Sequence, residues 1–265
     1  MLNLIFFLVG GTGALSLCAA TTLSFWWLPL LWIGFYLGIT LAFFLLFVLS
    51  LPIATRKPDP EKPDAFCIKY LHFMTAWLMS FLWVRVKKEG FEKIPSGPVV
   101  FVANHISNFD PIVVMSAYAG KLIFISKESN FHIPLAGALM KKAGYLSIDR
   151  ENGMRALRTL KSAADLIGNE AVSVGIYPEG TRSKSGELQE FKEGAFYLAK
   201  HANVPVVLLA TSNTQNIRPG KRILRPLTVK LRVLDVWNTE TIAETPLPEL
   251  SQKAHDRILA GLSEL

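Results

Sequence analysis

The first 54 residues contain no lysine, arginine, aspartate, glutamate or histidine. Because a membrane crossing takes about 20 apolar residues, this stretch is long enough for two helices. We expect them at residues 2–20 and 28–53, separated by a short polar break and the paired Trp26 and Trp27, which are typical of a membrane interface. They span the membrane or form a re-entrant hairpin. A cleaved signal peptide is disfavoured, because no basic segment precedes the apolar run.

Several chemical signatures are also missing. The two cysteines, Cys18 and Cys67, lie far apart in apolar surroundings, so we interpret them as reduced thiols, not as a disulfide framework or a metal site. No cluster of metal ligands is evident, and we predict no metal. No G-x-S-x-G elbow occurs, which argues against a serine hydrolase such as a lipase. The GGTG at residues 10–13 lies inside the apolar run and follows no strand, so it does not predict a dinucleotide loop.

The formal net charge of +7 favours anionic partners, which include nucleic acid, an anionic membrane surface and a phosphorylated substrate. We expect no nucleic-acid partner, because basic residues do not cluster with aromatics and the apolar N-terminus favours a phospholipid bilayer. Arg56 and Lys57 follow the second apolar run, and basic residues at that position tend to stay cytoplasmic. The remainder of the chain is therefore predicted on the cytoplasmic face of a membrane.

The chain divides into three predicted parts. Residues 1–54 form the membrane helices, and residues 55–64 form a polar, proline-rich linker. Residues 65–265 form the main domain, beginning with the aromatic stretch 65–86. That stretch fits either an amphipathic helix against the bilayer or an ordinary core helix.

Beyond residue 85, short apolar runs alternate with helical periodicity. This alternation predicts an α/β domain in which helices flank a largely parallel sheet. Strands are expected at residues 98–103, 121–126, 145–148, 172–177, 204–210 and 227–236, and helices at 111–118, 135–142, 151–167, 194–201 and 249–265.

The heptapeptide NHISNFD runs from Asn104 to Asp110, between a predicted strand and a helix. The carboxyl ends of such strands usually carry the chemistry of α/β folds. A neutral His105 can take a proton from a hydroxyl, and a carboxylate on its second ring nitrogen would fix its tautomer. Alternatively, Asp110 followed by Pro111 resembles the start of a helix, with aspartate as the N-cap. Asp110 is compatible with both roles.

Two further motifs offer contacts for an anion. GYLSIDRE places Arg150 close to a helix N-terminus, where its guanidinium could hold a phosphate or pair with Asp149 or Glu151. In YPEGTRS, Gly180 allows close backbone approach, while Thr181 and Arg182 supply a hydroxyl and a cation. Glu179 could bind an acceptor hydroxyl or hold Arg182, and the alternative is a polar turn containing a salt bridge.

Together with VPVVLLA at residues 204–210, these three motifs resemble, in order, the four blocks of the PlsC-like glycerolipid acyltransferases, especially the 1-acylglycerol-3-phosphate acyltransferases. The resemblance covers about residues 85–215. It implies that His105 is the general base and Asp110 its partner. It also implies an acceptor-phosphate site, formed by Arg150, Glu179, Gly180, Thr181 and Arg182.

The resemblance further implies the reaction. A fatty acyl group passes from acyl-CoA or acyl-acyl carrier protein, as co-substrate, to a lysophospholipid acceptor, and no other cofactor is expected. Phosphatidic acid is the expected product. Other acceptors remain as alternatives, namely glycerol-3-phosphate, lyso-ornithine lipid and lyso-glycolipid. If the chain is not an enzyme, the alternative is a non-catalytic, membrane-anchored lipid-binding protein.

Overall fold

A computed structural model describes residues 2–21, 23–54, 62–134, 136–183, 186–218 and 226–265. The chain forms two compact units, Met1–Arg56 and Lys57–Leu265. Most of the predicted linker, residues 55–61, lies outside the described residues. The division between the units falls inside that linker.

The N-terminal unit is a pair of apolar helices, α1 (Leu2–Ala20) and α2 (Leu28–Ala54), with a 3₁₀ turn at Phe25–Trp27. These bounds match the two predicted helices to within one residue. One segment, Phe25–Leu46, is long and apolar enough to cross a membrane, and Leu4–Ala20 is a shorter apolar helix. Many large apolar side chains of this unit are exposed, including Trp26 at 90%.

The two helices pack closely where α1 carries small residues. A side chain added at Gly10 would meet the backbone of Tyr36 at 3.1 Å, and one added at Gly11 would meet the Trp32 ring at 2.8 Å. The Trp32 indole donates a hydrogen bond to the Phe7 carbonyl at 2.6 Å. The GGTG segment therefore allows two helices to approach, a use of small residues typical of membrane helix pairs.

The described residues of the larger unit form a seven-stranded sheet with the order β1-β7-β6-β2-β5-β3-β4. All neighbouring strands pair in parallel except β6 and β7, so the predicted mostly parallel sheet is confirmed. Every residue of β2 is buried, as expected for a strand covered on both faces. The strands are β1 (Val84–Glu89), β2 (Val100–Ala103), β3 (Leu122–Lys127), β4 (Leu146–Ile148), β5 (Ser173–Ile176), β6 (Val206–Ser212) and β7 (Leu227–Trp237).

Helices flank this sheet. They are α3 (Ala65–Phe81), α4 (Asp110–Ala117), α5 (Ala136–Lys142), α6 (Gly153–Glu170), α7 (Gly194–Ala202), α8 (Thr239–Glu244) and α9 (Leu247–Ser263). Asn152 caps α6 by accepting a hydrogen bond from the Arg155 amide at 3.1 Å. The four motifs lie after or on β2, β4, β5 and β6. Because these strands run parallel within one sheet, their carboxyl ends meet at one edge, which positions the site.

The helix predicted over residues 65–86 is shorter than expected. It ends at Phe81, and Trp83 turns the chain with a φ of 56°. Residues 84–86 then begin β1, an edge strand that pairs with β7. The helix itself combines the two interpretations of this stretch: it buries Ile68 and Met79 on one face and exposes aromatic side chains elsewhere, namely Phe66, Phe73 and Phe81.

The end of the predicted linker is attached to the larger unit. The Asp64 side chain accepts a hydrogen bond from the Cys67 amide at 3.0 Å and so caps α3. The Asp64 amide donates to the Lys142 carbonyl at 2.9 Å. Pro63 packs beside Gly144, where a Cβ would approach its ring to 2.6 Å. The start of α3 is thereby tied to the end of α5.

Candidate active site

His105 and Asp110 lie together in the loop that joins β2 to α4. The Nδ1 atom of His105 lies 2.8 Å from Oδ2 of Asp110. A carboxylate can only accept hydrogen bonds, so Nδ1 carries the proton and Nε2 carries the lone pair in the neutral ring. Nε2 has no hydrogen-bond partner among the described residues, and the His105 side chain is 14% exposed. This geometry suits a general base.

Aromatic rings fix the plane of the imidazole. His105 stacks on Tyr177 with a centroid distance of 4.2 Å and an interplanar angle of 18°. Tyr177 in turn stacks on Phe124 at 5.8 Å. Burial raises the pKa of the Tyr177 hydroxyl well above its usual range. That hydroxyl is buried without a hydrogen-bond partner in the part of the chain that the structure describes.

Asp110 does not cap its own helix, contrary to the alternative that the sequence left open. It is the first residue of α4, and its carboxylate is turned back toward the preceding loop. Oδ2 accepts from the amides of Ile106 at 2.8 Å and Ser107 at 2.7 Å, as well as from His105. The carboxylate is completely buried, so these donors offset the cost of removing its charge from water.

The backbone around His105 is held from two sides. The Asn104 side chain continues the β2–β6 ladder beyond its last backbone pair, because it donates to the Thr211 carbonyl at 2.9 Å and accepts from the Thr211 amide at 2.8 Å. The His105 amide donates to the Glu179 carboxylate, and its carbonyl accepts from the Ser183 amide at 2.9 Å. The first and third motifs are therefore bonded to each other.

Glu179 has a structural contact that the sequence did not predict. Its side chain is buried and accepts from the Gln189 amide at 3.1 Å in addition to the His105 amide. Burial raises the pKa of the Glu179 carboxyl, and the two amide hydrogen bonds act in the opposite direction. Arg182 is not among its partners in the described structure, so the alternative in which Glu179 holds Arg182 has no support there. The role of Glu179 toward the acceptor stays a prediction.

The rest of the third motif forms a turn at the surface. Gly180 has a φ of 73°, a conformation that favours glycine, and a Cβ there would lie 3.3 Å from the Lys192 ammonium. Thr181 and Arg182 are exposed, and Thr181 contacts the Gln189 side chain at 3.2 Å. Lys192 thus adds a cation beside the turn. Lys184, a further cation that the sequence offers for phosphate contact, lies outside the described residues.

Arg150 follows β4 and precedes the start of α6. It is exposed, and the structure gives it no ion pair among the residues described. The alternative, an ion pair of Arg150 with Asp149 or Glu151, is absent there. The Asp149 carboxylate instead accepts hydrogen bonds from the Arg155 guanidinium at 3.3 Å and from the Glu151 amide. In the sheet order β4 is three places from β2, a separation of about 14 Å at strand spacing.

Sequence reasoning missed Thr214, whose hydroxyl donates to Oδ1 of Asp110 from the 3₁₀ turn after β6. It also missed the stacking of Tyr177 and the position of Lys192. The position of Tyr177, immediately before the proline of the third motif, was the one sequence feature that could have indicated a role for it at the site. Thr214 had no local signal, since it lies 104 residues from its partner and outside the predicted blocks.

Comparison with known proteins identifies relatives of the chain. A family model described as "Acyltransferase" matches residues 85–212. The 1-acyl-sn-glycerol-3-phosphate acyltransferase alpha of Homo sapiens is 30% identical over 221 residues, covering 82% of this chain and 76% of that protein. The 1-acyl-sn-glycerol-3-phosphate acyltransferase of Saccharomyces cerevisiae is 28% identical over 187 residues, or 69% of this chain and 62% of that protein.

A solved structure shares the fold. The crystal structure of the 1-acyl-sn-glycerophosphate (LPA) acyltransferase PlsC from Thermotoga maritima superposes with a TM-score of 0.65 at 25% sequence identity. The similarity covers 86% of this chain and 95% of that one. The match therefore extends well beyond the four motifs.

Proposed function

The chain belongs to the PlsC-like family of glycerolipid acyltransferases, and from this membership we propose that it makes phosphatidic acid by acylating 1-acylglycerol-3-phosphate. The acyl donor is acyl-CoA or acyl-acyl carrier protein. The chain is an O-acyltransferase, as its relatives are. The observation that carries the mechanism is the buried contact between His105 Nδ1 and Asp110, which leaves Nε2 unpartnered within the described residues.

The reaction uses His105 as the base. As the acceptor's hydroxyl oxygen attacks the thioester carbonyl, its proton passes to Nε2 of His105. The new carbon–oxygen bond forms, the carbon–sulfur bond breaks, and the leaving thiolate takes the proton back from the imidazolium. Asp110 holds Nδ1–H and stabilises the imidazolium that forms between these steps.

The acceptor's phosphate docks on the polar turn and the arginines at the same edge of the sheet. Arg182 and Thr181 are exposed in the loop after β5, the strand next to β2. Arg150 approaches from the loop after β4. A guanidinium without a carboxylate partner is suited to bidentate contact with phosphate.

A panel of acceptors tests the proposed substrate. We expect kcat/KM for 1-acylglycerol-3-phosphate to exceed that for lyso-ornithine lipid or a neutral lyso-glycolipid by about ten- to a hundredfold, since hydrogen bonds to a charged group contribute about 1.5–3 kcal/mol. Each acceptor is assayed with acyl-CoA and with acyl-acyl carrier protein. Equal turnover of the phosphate-free acceptors would contradict a phosphate site. Lipid binding without any transfer would support the non-catalytic alternative.

The proposal includes a membrane location, with the larger unit on the cytoplasmic face. Three features support it: the uncharged helices α1 and α2, the apolar segment Phe25–Leu46, and the exposed aromatic side chains of α3. Exposed apolar surface on each of the two units is typical of contact with lipid. The two basic residues after α2, Arg56 and Lys57, favour the cytoplasmic orientation.

High salt should leave the protein in the membrane fraction, and detergent should release it. Salt screens surface charges, whereas burial of apolar surface contributes about 25 cal/mol per Å² and is not screened. Removing residues 1–54 should lower activity on bilayer-embedded acceptor more than on a short-chain, water-soluble acceptor. Release of the intact protein by salt alone, or equal activity of the truncated protein on bilayers, would contradict the proposed anchoring.

A further inference from the structure

The Asp110 carboxylate receives hydrogen bonds on both oxygens. The three donors to Oδ2, including His105, all belong to the loop before α4. Oδ1 accepts from the Thr214 hydroxyl, which comes from a different strand connection. Thr214 is completely buried, as is Asp110. The bond therefore joins the end of β6 to the His105 loop inside the protein.

Thr214 is the donor in this pair, because an ionised carboxylate has no proton to give. Oδ2 lies off the Cβ–Cγ axis, so its donors already resist rotation of the carboxylate about that bond. The Thr214 hydroxyl resists the same rotation at Oδ1, from a part of the chain outside the loop before α4. Since Oδ2 is the oxygen that holds Nδ1 of His105, this second, independent restraint helps to fix the direction of the imidazole's other nitrogen.

The position of Thr214 is itself well defined. Asn213 adopts a left-handed conformation with a φ of 71°, which turns the chain sharply after β6. The Asn213 side chain donates to the Thr228 carbonyl at 2.7 Å, and the Thr214 carbonyl accepts from the Ile217 amide at 3.0 Å. The turn is thus bonded to β7 and within itself, which makes it a firm support for the hydroxyl.

We propose that Thr214 is a positioning residue for acyl transfer, whose hydroxyl orients the Asp110 carboxylate and through it His105. This inference rests on the proposed function, because it assigns Thr214 a part in the step for which His105 is the base. Because Thr214 is completely buried, we expect it to act through Asp110 and not by direct contact with substrate. Its loss should therefore reduce kcat and leave substrate binding unchanged.

The test compares threonine-to-valine changes at two positions, one beside Asp110 and one on α3. Thr214→Val keeps the shape of the side chain and removes its hydroxyl, and Thr214→Ser keeps the hydroxyl. Thr75→Val is the matched control, because Thr75 is half-buried on α3 and its hydroxyl donates only within that helix, to the His72 carbonyl at 2.8 Å. For each variant, kcat and both KM values are measured with 1-acylglycerol-3-phosphate and acyl-CoA, together with Tm.

Thr214→Val should lower kcat about ten- to a hundredfold, the range for a lost hydrogen bond to a charged group. Both KM values should stay within about twofold. A lost binding contact worth 1.4 kcal/mol would instead raise KM about tenfold. Thr214→Ser should recover most of the lost kcat, and Thr75→Val should match the unaltered enzyme. If Thr214→Val fails to fold, Thr214→Ala provides the same comparison.

Unchanged kcat in a folded Thr214→Val enzyme would overturn the positioning role. An equal loss in Thr214→Ser and Thr214→Val would do the same, since it would trace the effect to packing. A His105→Ala variant separates the two proposals. If His105→Ala is inactive while Thr214→Val is fully active, only the role of Thr214 fails. If His105→Ala retains turnover, the base mechanism itself fails.

Discussion

Replacing His105 with alanine is expected to lower kcat by about 10²–10⁴-fold, the usual range for the loss of a general base. The variant should still fold, because the Asp110 carboxylate keeps three of its four donors: the amides of Ile106 and Ser107 and the Thr214 hydroxyl. Turnover in a detergent-solubilised preparation, with Tm measured in parallel, separates lost chemistry from lost structure.

Two further variants make this result specific. His132→Ala is the matched control, since the His132 side chain is 73% exposed and lies 3.8 Å from Glu128 in a surface pair. It should leave kcat unchanged. Asp110→Asn should also lower kcat, because a neutral amide stabilises the imidazolium less than a carboxylate does. Near-normal turnover by a well-folded His105→Ala enzyme would contradict the mechanism.

The central strands of the sheet were predictable from sequence because they are buried. Residues such as Val100, Val102, Val206 and Leu208 are 0% exposed, and their continuous apolar runs are typical of strands covered on both faces. The parallel arrangement followed from the alternation of such runs with helical segments. Their carboxyl ends placed the first three motifs at one edge of the sheet.

The edge strand β1 was not predictable in the same way. Its sequence, VRVKKE, begins directly after an aromatic helix, and residues 84–86 are predicted as the end of that helix. Charged residues are common on edge strands, where one side of the strand has no neighbour to pair with. The partner of β1 is β7, which lies more than 130 residues further along the chain. Local periodicity carries no information about such a pairing.

The contacts of the site were predictable from sequence where the two contacting residues lie close together along the chain. The contact between His105 and Asp110 spans five residues and follows from the motif spacing. The bond from the His105 amide to Glu179 spans 74 residues, and the bond from Thr214 to Asp110 spans 104. These long-range contacts are created by the order of the strands, with β2 lying between β5 and β6.

Replacing Arg182 or Arg150 with alanine is expected to raise the KM for 1-acylglycerol-3-phosphate by about ten- to a hundredfold, the equivalent of one lost charged hydrogen bond. Neither arginine has a carboxylate partner among the described residues, so each can offer its guanidinium to the acceptor's phosphate. Arg182 should have the larger effect, because its loop follows β5, the neighbour of β2, whereas β4 is three places away.

This prediction has one control variant and two control substrates. Arg155→Ala should leave the acceptor KM unchanged, because Arg155 is an exposed residue already paired with Asp149, and such surface pairs contribute about 0–1 kcal/mol. The KM for acyl-CoA should change little in any of these variants. A neutral lyso-glycolipid acceptor, if it is turned over at all, should be used equally by the arginine variants and the unaltered enzyme. An equal loss on the neutral acceptor would make the arginines structural, and normal binding of 1-acylglycerol-3-phosphate by both variants would place its phosphate elsewhere.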